Sequence, residues 1–144
     1  MLRSFLTSLA VVWSLTLTHG TFAANTFVVV NAPAGSSIDQ ASLEALLTGQ
    51  RRNWDDGDAA KVILPSRMSP NFDFVGHKLF GASGQVMQRQ WFRLVFSGKA
   101  NAPDYVDSST EVLDAVARQA GALGILVSDT APEVDESLTV VQLK

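Results

Sequence analysis

Residues 61–81 read KVILPSRMSPNFDFVGHKLFG. Val62, Ile63 and Leu64 form a short apolar run closed by Pro65, the pattern of a buried strand. Ser69 and Pro70 follow, a hydroxyl suited to an N-cap and a ring whose fixed φ suits a first helical position. The spacing therefore predicts a helix over residues 70–80, stopped by Gly81. A strand that passes through a short polar turn directly into a helix is the unit from which parallel sheets are built.

The flanking sequence extends this pattern. Upstream, TFVVVNAP gives a strand over residues 27–31. SSIDQASLEALLTGQ then opens on Ser37 with Gln40 three residues on, and Ile38, Leu43, Leu46 and Leu47 make a helical stripe up to Gly49. RRNWDDGDAA has the polarity and the Asp-Gly pair of a turn. Downstream, Ser83 starts a helix with Met87, Trp91, Leu94 and Val95 on one face. NAPDYVD reads as a loop. Ser108 and Glu111 form a capping box ahead of Val112, Leu113, Val116 and Ala120 at helical spacing. Apolar runs at 123–128 and 138–143 are the last strands. The order β-α-β-α-α-α-β-β implies an α/β fold with a mostly parallel sheet covered on both faces.

Residues 1–23, MLRSFLTSLAVVWSLTLTHGTFA, have a different character. One early charge at Arg3, an apolar stretch at 5–17, and Thr21 and Ala23 before a cut describe a secretory signal peptide cleaved after Ala23. As a membrane anchor the stretch is short against the roughly 20 residues a span needs, and Ser and Thr interrupt it. Cleavage leaves residues 24–144 as a single domain in the periplasm. The chain has no cysteine, so packing alone must stabilise this domain and no lipid can be attached as in a lipoprotein.

Loss of Arg3 leaves 10 basic residues against 14 acidic ones. No basic block or basic-aromatic pattern stands in the sequence, which argues against nucleic acid as a partner. His77 is the one histidine beyond the leader, so multi-histidine zinc sites and Cys-His chemistry are excluded. No carboxylate pair has a catalytic setting either. These readings describe a protein that is not an enzyme and holds no metal or cofactor.

LEALLTGQRRNWDDGDAAKVILP (43–65) resembles the helix, Gly, Trp, Asp-Gly, strand segment of the substrate-binding proteins of phosphate ABC transporters. The Ser69-Pro70 pair, FGASGQVMQRQWFRLVFSGK (80–99) and AGALGILVSD (120–129) resemble the matching parts of a shorter, stand-alone group of phosphate-transporter substrate-binding-like proteins. The resemblance runs from Phe27 to Leu143 and implies a three-layer α/β lobe, about half of a type II periplasmic binding protein. It also implies a small oxyanion ligand, phosphate foremost, and a link to a membrane transporter. The missing half of the cleft would have to come from a second subunit, a homodimer being one arrangement that supplies it.

In an open α/β sheet ligands sit past the carboxyl ends of strands. With Ser69 as N-cap, the amides of Asn71, Phe72 and Asp73 would lack helical partners and could hold an anion with the helix dipole. Arg67 would add a bidentate fork, and Ser66, Ser69 and Asn71 further donors. The resemblance carries Arg67 and Ser69 over as ligand residues. Two features oppose it: Phe72 stands where the short group commonly has a basic residue, and Asp73 would repel a phosphate. The same stretch also reads as a plain helix cap, in which case the domain would be a sensor or adaptor for a membrane receptor or transporter.

Other residues are secondary. Asp55, Asp56 and Asp58 fit a turn better than calcium, because the alternation and distal glutamate of an EF-hand loop are missing. Trp91 belongs to a core stripe, Trp54 is open between core and ligand stacking, and His77 reads as a surface residue. Arg89 and Arg93 are a solvated face or a partner surface. Ser37 and the cluster at 108–110 are caps first, and donors to a ligand only if their helix ends converge on the mouth.

Overall fold

Residues 24–144 are described in the computed structural model. In chain order they form β1 (Asn25–Val30), α1 (Gln40–Leu47), β2 (Lys61–Pro65), α2 (Phe72–Phe80), α3 (Gly84–Phe96), β3 (Asp104–Val106), α4 (Ser109–Arg118), β4 (Ala122–Ser128) and β5 (Thr139–Leu143). The leader expected over residues 1–23, with its cleavage point, lies outside the described residues.

The strands form one sheet in the order β3-β2-β4-β1-β5. β2 runs parallel to β3 and β4, while β1 is antiparallel to both β4 and β5. Four strands thus share a direction and β1 opposes them. Side chains alternate across the sheet, as the two-residue period of a strand requires. Val28, Val30, Val62, Leu64, Leu123 and Ile125 face a layer built from α1, α2 and α3. Phe27, Val29, Ile63 and Leu126 face α4 through Val112 and Val116. The architecture is a three-layer α/β sandwich, and each fully buried Leu or Val in it contributes about 1.5–3 kcal/mol.

Three local readings need correction. NAPDYVD is not all loop: Asp104–Val106 pairs with Ile63, Leu64 and Pro65 as a short edge strand. Three residues are too few for a period to show, and the open edge of β2 supplies the partner. α1 is capped by Asp39, whose carboxylate accepts the Ser42 amide at 3.1 Å, and not by Ser37. The Ser37 amide instead donates to Asp55 at 2.8 Å. α2 begins at Phe72 with Asn71 at the cap position, so Ser69 and Pro70 belong to a tighter preceding turn.

The remaining helix starts match the expectation. Ser83 accepts from Val86, and Ser108 accepts from Glu111. Trp91 is buried, and Trp54, 3 % exposed, donates its indole N–H to the Gly121 carbonyl at 2.8 Å, which makes it a core residue. WDDGD is a turn: the Trp54 amide bonds to Asp58 O, and Gly57 adopts a φ of 91°. Arg51, together with the Ser37 amide, holds the Asp55 carboxyl down at about 2. No helix among the described residues is long and apolar enough to cross a membrane.

Candidate functional site

Because β2, β3 and β4 are parallel, their carboxyl ends at Pro65, Val106 and Ser128 share one edge of the sheet, and antiparallel β1 begins there with Asn25 opposite Ser128. Two helices start beyond this edge from adjacent strands. α2 follows β2 over one face and α4 follows β3 over the other. α1 does not join them, since Gln40 is tied to Lys144 beyond β5, three strands away from β2. Of the two further helix starts that could have supplied donors, that of α4 therefore converges with that of α2 and that of α1 does not.

Hydrogen bonds lace the two turns together. The Ser66 amide donates to Val106 O at 2.8 Å, and the Ser66 hydroxyl donates to the Asp107 carboxylate. Glu111 accepts the Asp107 amide at 2.7 Å while its own amide is capped by Ser108. The Ser66 oxygen also receives Met68 N at 3.1 Å, and Ser66 O receives Ser69 N at 3.0 Å. Ser69 is 7 % exposed, and its hydroxyl accepts the Asn71 amide at 3.2 Å while its carbonyl accepts that of Phe72.

The free donors are therefore not quite those expected. Asn71 and Phe72 have spent their amides on Ser69, and those of Asp73 and Phe74 find no acceptor among the described residues. The Asn71 side chain makes no capping bond. Arg67 is exposed and makes no ion pair among the described residues. Ser66, Arg67, Ser69 and Asn71 do come together in one turn, in which the Arg67 guanidinium and the Asn71 side-chain carboxamide have no partner among the described residues.

The two features that opposed an anion have structural roles elsewhere. Phe72 is buried in the larger core, its ring packed against Gly84 at the start of α3, so it does not cover the mouth. Asp73 accepts the Gly84 amide at 2.9 Å and caps α3. The sequence reading did not identify Asp107 as part of the site. Its position just before the Ser108 capping box hinted only at a helix start, and the register of β3 against β2 brings its carboxylate to Ser66. The turn that holds Arg67 is thus bonded to a turn that carries Asp107 and Glu111.

Residues 24–144 thus form a three-layer α/β domain with an exposed strand-to-helix turn at the carboxyl edge of its parallel strands. No family model and no curated protein matches the chain. One solved structure overlays on it, the crystal structure of an ABC-type phosphate transport receptor from Vibrio cholerae, with 17 % sequence identity and a TM-score of 0.46. The overlay takes in 82 % of this chain and 45 % of the receptor chain, so the protein spans a little under half the length of that receptor.

Proposed function

We propose that residues 24–144 act outside the cytoplasm, after removal of the leader, as a solute-binding domain for a small oxyanion of the phosphate class, which they hold without chemical change. The observation that carries this reading is the turn from parallel β2 into α2: it holds Arg67, exposed and without an ion pair among the described residues, and leads into the unclaimed amides of Asp73 and Phe74. Guanidinium and amides present donors to an oxyanion, and the helix dipole adds a partial positive charge. The Asn71 side-chain carboxamide and the Ser69 hydroxyl extend the donor set. Asp107 occupies the Ser66 hydroxyl, so an incoming anion competes with an internal carboxylate and binds weakly enough to be released. A second copy, or a membrane transporter, would complete the half-cleft.

Isothermal titration with phosphate and with sulfate at low ionic strength tests the reading. Saturable heat that Arg67→Ala removes is the expected result. Absence of heat with every oxyanion, or an Arg67→Ala protein that binds as before, refutes it.

Exposure of Met68, the chain neighbour of Arg67, at 80 % and of Phe74 in the first turn of α2 at 44 % favours a second reading, in which this turn and helix start are the docking face of a sensor or adaptor for a membrane receptor or transporter. Loss of a co-purifying protein on Met68→Ser with Phe74→Ser, together with no oxyanion heat, would select it.

A further inference from the structure

Residues 74–103 contain no Asp or Glu yet carry Lys78, Arg89, Arg93 and Lys99. The rest of the domain carries 6 basic residues and all 14 acidic ones. The cations lie four to eleven positions apart, so no basic run stands out in the sequence. α3 brings several of them onto one surface. Its inner side buries Met87 and Trp91, and its outer side displays Arg89, Phe92, Arg93 and Phe96 at the three- and four-residue spacing of one helix face, with exposed Lys99 just beyond. Arg89, Arg93 and Lys99 make no ion pair among the described residues.

Phe92 and Phe96 are 54 % and 83 % exposed, and their rings stack with centroids 5.8 Å apart. Isolated exposed apolar residues are normal, but a stacked pair flanked by uncompensated cations is a patterned surface. An apolar hollow of about 220 Å³, lined by Trp91, Phe92, Val95, Ala102, Pro103 and Tyr105, continues the strip to the sheet edge.

We propose that the outer face of α3 docks on an anionic phospholipid surface. Phe92 and Phe96 enter the boundary between headgroups and acyl chains, while Arg89, Arg93 and Lys99 pair with lipid phosphates. This is the division of labour of an interfacial amphipathic helix. Charge selects the occupant: a cationic plate on an otherwise acidic domain is drawn to a negative surface and keeps the acidic remainder away from it. Shape agrees, since the two rings stand on the convex ridge of a helix, which suits a deformable bilayer.

The test is vesicle flotation with residues 24–144, which hold the whole sheet, all its covering helices and both cores. Vesicles of pure phosphatidylcholine are compared with vesicles containing about 30 % phosphatidylglycerol. Binding to the anionic vesicles is expected to exceed that to neutral ones at least about tenfold and to weaken with salt. At about fivefold per near-surface cation, Arg89→Gln with Arg93→Gln should lower it about 25-fold. Phe92→Ser with Phe96→Ser should lower it on the same vesicles, whereas Arg118→Gln with Lys144→Gln should leave it unchanged. All of these positions except Lys144 lie on helices at exposed sites, and an unchanged urea midpoint checks that the fold is kept. Equal binding to both vesicle types, no binding to either, or indifference to the Phe pair overturns the proposal. So does a concentration-dependent dimer that the Phe variant abolishes, which would assign the face to a second copy.

Discussion

Gly76→Ala should unfold the domain more readily than its single added methyl group suggests. A Cβ at this position of α2 would stand 2.6 Å from Gly84 N, 2.6 Å from Ser83 C and 2.7 Å from Ala82 O. Non-bonded heavy atoms prefer about 3.5–4 Å, so α2 and the start of α3 would have to separate by about 1 Å. All three atoms are backbone, and no side chain can rotate to make room. Overpacking of this kind costs about 1–3 kcal/mol, and a backbone contact belongs at or above the upper end. Replacing a helical glycine by alanine returns about 1 kcal/mol of helix propensity. The net loss is about 2 kcal/mol, equivalent to a fall in Tm of about 8 °C at the usual unfolding entropy per residue. The separation would also loosen Phe72 against Gly84 and the Asp73 bond to Gly84 N, which together position the opening of α2. Urea unfolding followed by tryptophan fluorescence, with calorimetry for Tm, measures the effect. Gly81→Ala is the comparison: φ there is 65° with no atom within 4 Å, so it should lose only about 1 kcal/mol of backbone strain. The reasoning is refuted if Gly76→Ala is as stable as the parent, or if Gly81→Ala is the more damaging of the two.

Asp107→Asn removes the carboxylate that holds the Ser66 hydroxyl and should strengthen phosphate binding about three- to tenfold in titration; an equal or weaker affinity would show that Asp107 does not compete. Trp54→Phe deletes the indole donor to Gly121 O, which keeps its bond from Lys61 N at 3.1 Å, so the urea midpoint should fall by the equivalent of about 1 kcal/mol and not more. Arg51 beside Asp55, with the Ser37 amide, lowers that carboxyl to about 2, and a depressed carboxylate stabilises only while ionised. Its contribution should be present above pH about 4 and lost as pH falls towards 2, and Arg51→Ala should flatten this limb of the urea midpoint against pH. At the other extreme, burial raises the Tyr105 hydroxyl to about 12, so its neutral form favours the fold below pH about 10 and that support fades above it; Tyr105→Phe should remove this alkaline loss.

The sequence was most legible where a side chain bonds to its own neighbourhood. Ser83 and Ser108 cap the helices expected of them, and 61–65 is the strand its apolar run describes. Legibility failed where a distant partner decides. Asp39 took the cap from Ser37 because the Ser37 amide is held by Asp55, and β3 exists because β2 offers an edge. At the candidate site, the position of Arg67 past a strand end could be read directly. The burial of Phe72, the bond from Gly84 to Asp73 and the approach of Asp107 to Ser66 could not, because each joins residues 11 or more positions apart. The α3 face escaped for the opposite reason: its pattern has helical spacing, and a search for contiguous charge passes over it.

The place of β1 in the sheet bears on how the chain is made. Its neighbours are β4 and β5, the last two strands of the described residues, with Asn25 opposite Ser128 and Val30 opposite Thr139. Until those residues emerge, an apolar segment that ends in Phe27, Val28, Val29 and Val30 has no strand to pair with, so the central sheet closes only when more than a hundred further residues have been made. Long-range closure of this kind slows folding and leaves time for an unfolded chain to be handled or threaded before it collapses. A ribosome stalled before β5 would release a lobe whose most apolar strand forms a bare rim, open to pairing with any other chain.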